Sequence, residues 1–321
     1  MNLTDITALV RDLLKDPDGT TWSDAEIARY LSYAQRRMFK WTCHHDKTYY
    51  NARINLLAAN ARQVHANTWE YDLPRMTHSV VSVYKTTGTT ARKKGKIPVG
   101  NPRDTRPGWS FGASKVFRLA GFGSAEDLTL EVCKMPARLS KGTCPAADTS
   151  STLVLQVDDS SFVYDEEVEP NAYFNSIFEL TGPVTTGPDR DPTGQVRRAL
   201  SSSRAQEAAT TNVQTTVTVE TAFGVAPAAN DTYEMHAEVD DSNIDYLVLL
   251  ATMKAFQTRH TVGGIAAIEG DLADEEKRFV AAVRERQSQE PLQWNMGESE
   301  GFEEDPDRAI LLGVYGNYWY L

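Results

Sequence analysis

Cysteine is scarce in this chain: Cys43, Cys133 and Cys144 are the whole complement among 321 residues. Three cysteines so widely spaced make no disulfide framework, and the expectation is three thiols. Long apolar runs are missing too. None approaches the roughly 20 residues that cross a bilayer, so no membrane contact is expected. The N-terminal stretch MNLTDITALVRDLL is amphipathic and has no basic region leading into an apolar core. It therefore reads as a protein made in a cytoplasm without a secretory signal. The sequence contains no P-loop, HExxH, G-x-S-x-G or CxxC pattern, and Gly121-Phe122-Gly123 lacks the third glycine of a dinucleotide fingerprint.

Two weaker chemical signals dissolve on inspection. Cys43-His44-His45-Asp46 has the residue types of a metal site, but neighbours on a helix point about 100° apart and converge poorly on one ion. It reads instead as a helix end with histidines near the dipole. Carboxylates cluster at Asp158-Asp159, Asp165-Glu166-Glu167, Asp189 and Asp191, and Asp240-Asp241. Such runs in loops are usually solvated, whereas a glycosidase needs two carboxylates held over a cleft. No catalytic residue, metal or cofactor is assigned, and the chain is not expected to be an enzyme.

What is present is a globular composition, 41% hydrophobic and 24% charged, sufficient to bury a core. The net charge of −11 is unevenly spread. Residues 85–118 carry nine bases and a single acid, Asp104, a local charge of +8 that leaves −19 for the remainder. An acidic body disfavours general nucleic-acid binding and suits a surface that must not stick to DNA. The basic loop, with Arg92, Lys93, Lys94 and Lys96 at its centre, suits contact with an acidic partner or a phosphate backbone.

Periodicity divides the chain. A first helix is predicted over 4–15, capped by Thr4, with Ile6, Leu9, Val10, Leu13 and Leu14 on one stripe. A second starts at Ser23, where Ser23 and Glu26 have capping-box spacing flanked by Trp22 and Ile27 as a staple. Its apolar positions are Ile27, Tyr30, Leu31, Ala34, Met38 and Trp41, and Arg36, Arg37 and Lys40 complement its C-terminal dipole. Strands are predicted at 80–86, 115–120, 128–135, 152–157, 175–182, 213–220 and 232–239. Tyr233, Met235, Ala237 and Val239 share one face of the last, while 185–195 and 201–211 read as loops. Helical spacing returns at Ile244, Leu247, Val248, Ala251 and Phe256. Gly263-Gly264 is expected to break that helix. Another follows, with Ile265, Ile268, Leu272, Phe279 and Val283 inward and Pro291 as its stop.

The fold class expected is therefore α+β. Residues 1–47 and 241–290 form a helical bundle from N- and C-terminal helix pairs. A β region spans 48–140 with the long basic loop, and an inserted β-module, a small sandwich or barrel, spans 141–240. An extended tail occupies 291–321, acidic first and aromatic last. In that tail Tyr315, Tyr318, Trp319 and Tyr320 are residue types that anchor interfaces.

The ends of the chain resemble the head-to-tail connector (adaptor) proteins of tailed bacteriophages, the tail tubular protein A group among them. The likeness lies in DITALVRDLLKDPDGTTWSDAEIARYLSYAQRRM, with its D-x-x-G-x-x-W-S-D turn, in YDLPRMTHSVVSVYKT, and in DDSNIDYLVLLATMKAFQTRHTVGGIAAIEGDLADEEKRFVAAVRERQ. These cover about half of the chain. The block at 141–240 departs from the family's shorter connection, although PTGQVRRAL and TVTVETAFGVAPAANDTYEM are similar to a β-module repeated among phage structural proteins. The resemblance implies a homo-oligomeric ring, usually of twelve copies, at the head–tail junction of a virion assembled in the host cytoplasm. It implies a portal protein on one side, a downstream tail or nozzle protein on the other, and DNA passing without sequence-specific contact. On that expectation the four tail aromatics dock on the portal or a neighbouring subunit. The alternative is a phage carbohydrate-binding or host-attachment protein, since β-sandwich insertions can carry sugar sites.

Overall fold

The structure is a computed structural model describing residues 1–45, 50–74, 76–86, 97–100, 107–112, 116–145, 149–157, 172–182, 193–203, 206–207 and 213–297. The protein is mixed α+β. Among the described residues there are four α-helices and fourteen strands in three antiparallel sheets. The chain divides into two units, Met1–Ala273 and Asp274–Leu321.

Helix α1 (Leu3–Leu14) is capped two residues earlier than its sequence suggests. Asn2 is the N-cap, its side chain accepting the Asp5 N–H, and Lys15 closes the helix in the left-handed conformation. Thr4 instead reaches across to a strand, where its N–H and hydroxyl donate to the Glu234 carboxylate at 2.9 and 2.6 Å. Leu3, Ile6, Val10 and Leu14 are buried, whereas Leu9 is 37% exposed and leaves the stripe.

Helix α2 (Asp24–His45) starts at the predicted capping box. The Ser23 N–H donates to Glu26 Oε2 at 2.9 Å, and the Glu26 N–H donates to Ser23 Oγ at 3.3 Å. Ile27, Tyr30, Leu31, Ala34, Met38 and Phe39 are buried; Trp41 is only half-buried. Helix α3 (Ile244–Thr258) is buried around most of its circumference, from Ile244 to Phe256. Helices α1, α2 and α3 pack on one another. Trp22 meets Phe256 edge to face at 6.2 Å between centroids, and Arg259 lies 5.0 Å over the Trp22 ring and 3.5 Å from Glu26.

Two helix breaks differ from expectation. The stop after α3 is at His260, which takes a positive φ of 55°, with the Thr261 N–H returning to the Phe256 carbonyl. Gly263 and Gly264 lie inside the next helix, α4 (Val262–Gly297). Gly264 is needed there for space, because a Cβ would meet the Phe256 ring at 2.7 Å. Pro291 does not end α4; a proline removes one hydrogen bond but leaves the flanking ones able to form. In α4 Ile268, Phe279 and Val283 are buried, and Lys277–Asp274 and Arg278–Glu275 pair one turn apart.

The first sheet has order β1 (Asn51–Leu56), β7 (Leu128–Lys134), β4 (Thr77–Lys85). The second has order β2 (Arg62–His65), β3 (Thr68–Asp72), β6 (Val116–Ala120), β5 (Gly108–Phe111). They share one core, centred on Ile54, Tyr71, Val83, Trp109, Phe117 and Leu130. Every residue of β7 is buried. One face supplies Leu128, Leu130 and Val132; on the other, Glu131 accepts from Ser82 Oγ and Arg53, so its buried charge is satisfied.

The third sheet has seven strands. Its order runs β12 (Gln206–Glu207), β13 (Val213–Val219), β11 (Gln195–Ser202), β10 (Ile177–Gly182), β14 (Thr232–Met235), β8 (Lys141–Thr143), and β9 (Thr152–Val157) also pairs with β13. Strand β14 ends four residues before its predicted limit, because the chain there turns to the N-terminus. The Ala237 N–H donates to the Met1 carbonyl, and His236 bridges Asn2. Cys43 of α2 and Cys133 of β7 lie side by side, next to Phe39 and Tyr50, but their Cα atoms are 7.3 Å apart, beyond the reach of a disulfide, and Cys144 is buried apart from them.

Candidate interaction surfaces

The residues singled out for docking fall outside the described residues. This is true of Arg92, Lys93, Lys94 and Lys96 in the basic loop, and of Tyr315, Tyr318, Trp319 and Tyr320 in the tail. The basic loop's two feet are described, and they are firmly built. The chain leaves β4 at Thr86, whose N–H donates to the Asp127 carbonyl at 2.8 Å, and Lys85 pairs with Glu126 at 2.8 Å. It returns at buried Ile97, whose N–H donates to Val83 and whose carbonyl accepts from Trp109 Nε1 at 2.9 Å. Gly100 and Gly108 then pass so closely that a Cβ on either would meet the other's Cα at 2.9 or 2.7 Å. Both ends of the segment 87–96 are thus fixed by a packed sheet.

The D-x-x-G-x-x-W-S-D turn is described throughout. Asp16 is buried, and its carboxylate accepts the N–H groups of Thr20, Thr21 and Trp22, the last at 2.9 Å, plus the Thr20 hydroxyl. Those hydrogen bonds, the Trp22 one foremost, hold its pKa below the ordinary 3.8. Arg11 spans the turn, donating to the Asp16 carbonyl and pairing with Asp24 at 2.5 Å. Gly19 has φ +65°, and a Cβ there would strike the Arg11 guanidinium at 2.8 Å. Asp24, hydrogen-bonded by Arg11 and Lys141, is likewise lowered.

A buried polar junction joins the helices to two of the sheets. Lys134 of β7 donates to Ser176 Oγ at 3.1 Å and lies 3.5 Å from Glu238 Oε1, to which Ser176 donates at 2.8 Å. Gln35 of α2 accepts the Glu238 N–H at 2.9 Å and donates to the Ala137 carbonyl at 3.3 Å. Ser32 accepts the Leu139 N–H at 3.0 Å. Sequence periodicity reads Gln35 and Ser32 only as polar positions on a helix. Their partners lie more than a hundred residues away, so no local signal marks them.

One more surface has no counterpart among the expected sites. On α2 the exposed side carries Arg29, Tyr33, Arg36, Arg37 and Lys40, with Tyr33 47% exposed and the Lys254 ammonium 5.0 Å over its ring. The run of bases is visible in sequence, but the helix dipole accounts for three of them and conceals their common face.

Among the described residues no group of three or more His, Cys, Asp or Glu side chains is arranged to hold a metal ion. No described helix is long and apolar enough to cross a membrane. In comparisons with protein-family models, curated proteins and solved structures, nothing matches this chain.

Proposed function

We propose that this protein is a structural adaptor of a tailed-phage virion, joining the portal of the DNA-filled head to the tail and lining part of the DNA channel. Its strongest support is a contact between the two ends that carry the family resemblance. The capped turn at Trp22–Glu26 packs against Phe256 and Arg259, more than two hundred residues later. In this proposal the N- and C-terminal helix pairs (1–47 and 241–290) form one bundle. The β regions at 48–140 and 141–240 stand out from it, and the chain beyond α4 serves as an arm.

Copies assemble head to tail in a closed ring, twelve in the family pattern, because a heterologous contact that closes generates a ring. The arm's Tyr315, Tyr318, Trp319 and Tyr320 anchor it on the portal or a neighbouring copy. Arg92, Lys93, Lys94 and Lys96 meet an acidic partner surface or DNA. The portal and a downstream tail or nozzle protein are its partners, and the head–tail junction of the virion is its place. No cofactor or reaction is needed. The carbohydrate-binding alternative draws no support from residues 183–239, whose two aromatics, Phe223 and Tyr233, are both buried.

Electron microscopy of the protein mixed with portal rings tests the proposal. Twelvefold rings stacked on the portal are expected, and a monomer that ignores portals but binds glycans would overturn it. Deleting 309–321 is expected to abolish portal binding or ring contact; unchanged binding would reject the anchoring role of the aromatics.

A further inference from the structure

We infer that the exposed face of α2 is a contact surface for the phosphodiester backbone of duplex DNA, formed by Arg37, Lys40 and Lys254 beside Tyr33 and reinforced by Arg29 and Arg36. It rests on the adaptor reading for its biological setting, and it supplies a surface that the reading lacks.

At 3.6 residues per turn, Arg29, Tyr33, Arg36, Arg37 and Lys40 fall within an arc of about 100°, along about 17 Å of helix. From Ile27 to His45 the helix contains no acid. Arg37 and Lys40 are exposed. Lys254 reaches the same patch from α3, its ammonium over the Tyr33 ring. Helix α3 carries a single acid, Asp245, nine residues before Lys254 and so about half a turn around the helix from it. Five cations and an exposed tyrosine thus form one elongated patch, with Arg29 and Arg36 half-buried in it, on a protein of net charge −11.

The shape of the patch selects its partner. A compact anion needs converging donors, whereas an elongated patch of charges matches a linear polyanion. Protein–protein interfaces enrich arginine and tyrosine but deplete their core of charge overall and of lysine in particular. Here charge runs the full length of the patch, two of its cations are lysines, and its one exposed aromatic is capped by an ammonium. Protein–DNA interfaces are polar and strongly positive in this way. Repulsion from the acidic remainder is screened beyond about 10 Å at 0.1 M salt, so a local patch can act against the net charge. The contact is backbone-only, which suits DNA that must slide past.

The test is fluorescence anisotropy of a labelled duplex of about 30 base pairs, titrated with the full chain across a salt series. The comparison is a variant carrying Arg37→Gln, Lys40→Gln and Lys254→Gln. Glutamine keeps helix propensity, so circular dichroism and melting temperature should be unchanged. Three lost phosphate contacts should reduce the slope of log K against log salt by about 2 to 3, with affinity at low salt falling at least about tenfold. Keeping the charge with Arg37→Lys in the wild-type background should leave binding near wild type. Equal affinity and slope in the triple variant would overturn the inference. So would a triple variant that keeps DNA binding but loses ring formation or portal binding, which would make the face a protein contact. Loss of DNA binding with rings intact supports it. Loss of DNA binding from a protein whose wild type never forms rings also supports it, while rejecting the adaptor role alone.

Discussion

Asp16 fixes the turn between α1 and α2 with one carboxylate, collecting the three consecutive backbone N–H groups of Thr20, Thr21 and Trp22 just before α2 begins. Its folded pKa is depressed, so the stability it contributes is present above the unfolded value of 3.8 and is lost as pH falls through the lower folded value. Asp24, Glu26 and Glu70 are lowered in the same direction, by Arg11, the Ser23 N–H and Arg62 respectively. Unfolding monitored by circular dichroism should therefore show steep acid loss of stability below about pH 4, and Asp16→Ala should flatten part of that loss while lowering stability at pH 7. An Asp16→Ala protein with the wild-type pH profile would contradict this role. Gly264→Ala is a second single-residue case: the added Cβ strikes the Phe256 ring at 2.7 Å, and a loss of about 1–3 kcal/mol is expected in urea unfolding. The Ser23–Glu26 box was legible because both partners sit three residues apart. Asp16 and Gly264 were not, since one acts through backbone N–H groups and the other through a ring on another helix.

Elements were more legible than their ends. The strands at Val116–Ala120, Leu128–Lys134 and Thr152–Val157 lie within a residue of their predicted limits because β-branched and apolar residues in them are bounded by turn formers. Strands β1, β2 and β3 escaped, being short and mixed in composition, and held by pairing rather than by propensity. The Cys43–Cys133 pair is invisible for a related reason: it depends on the end of α2 landing on the middle strand of a sheet formed later in the chain. Titration of unfolded, unreduced protein should find three thiols, because Cα atoms 7.3 Å apart lie beyond the reach of a disulfide. A single thiol before reduction would show Cys43 and Cys133 joined.

At the scale of the whole molecule, the helices and sheets are held together by few groups with great sequence separation, and Lys134 is the most costly of them. Its ammonium is buried and is offset by Glu238 and Ser176, while Gln35 holds the Glu238 backbone from the helical side. Removing Glu238 takes away a partner of the buried ammonium, and Glu238→Ala is expected to cost up to about 3–5 kcal/mol. Removing both charges with Lys134→Met and Glu238→Gln should recover most of that loss, because a buried ion pair contributes little net stability once its desolvation is counted. Urea unfolding of the two single variants and the double variant gives the coupling directly. If Glu238→Ala costs less than about 1 kcal/mol, the junction does not hold the helices to the sheets. If instead the double variant keeps its stability but the rings expected of the proposed adaptor become irregular, the charged junction serves to fix one angle between helices and sheets. That outcome would matter to the proposed role, because a ring closes only when every copy repeats the same geometry.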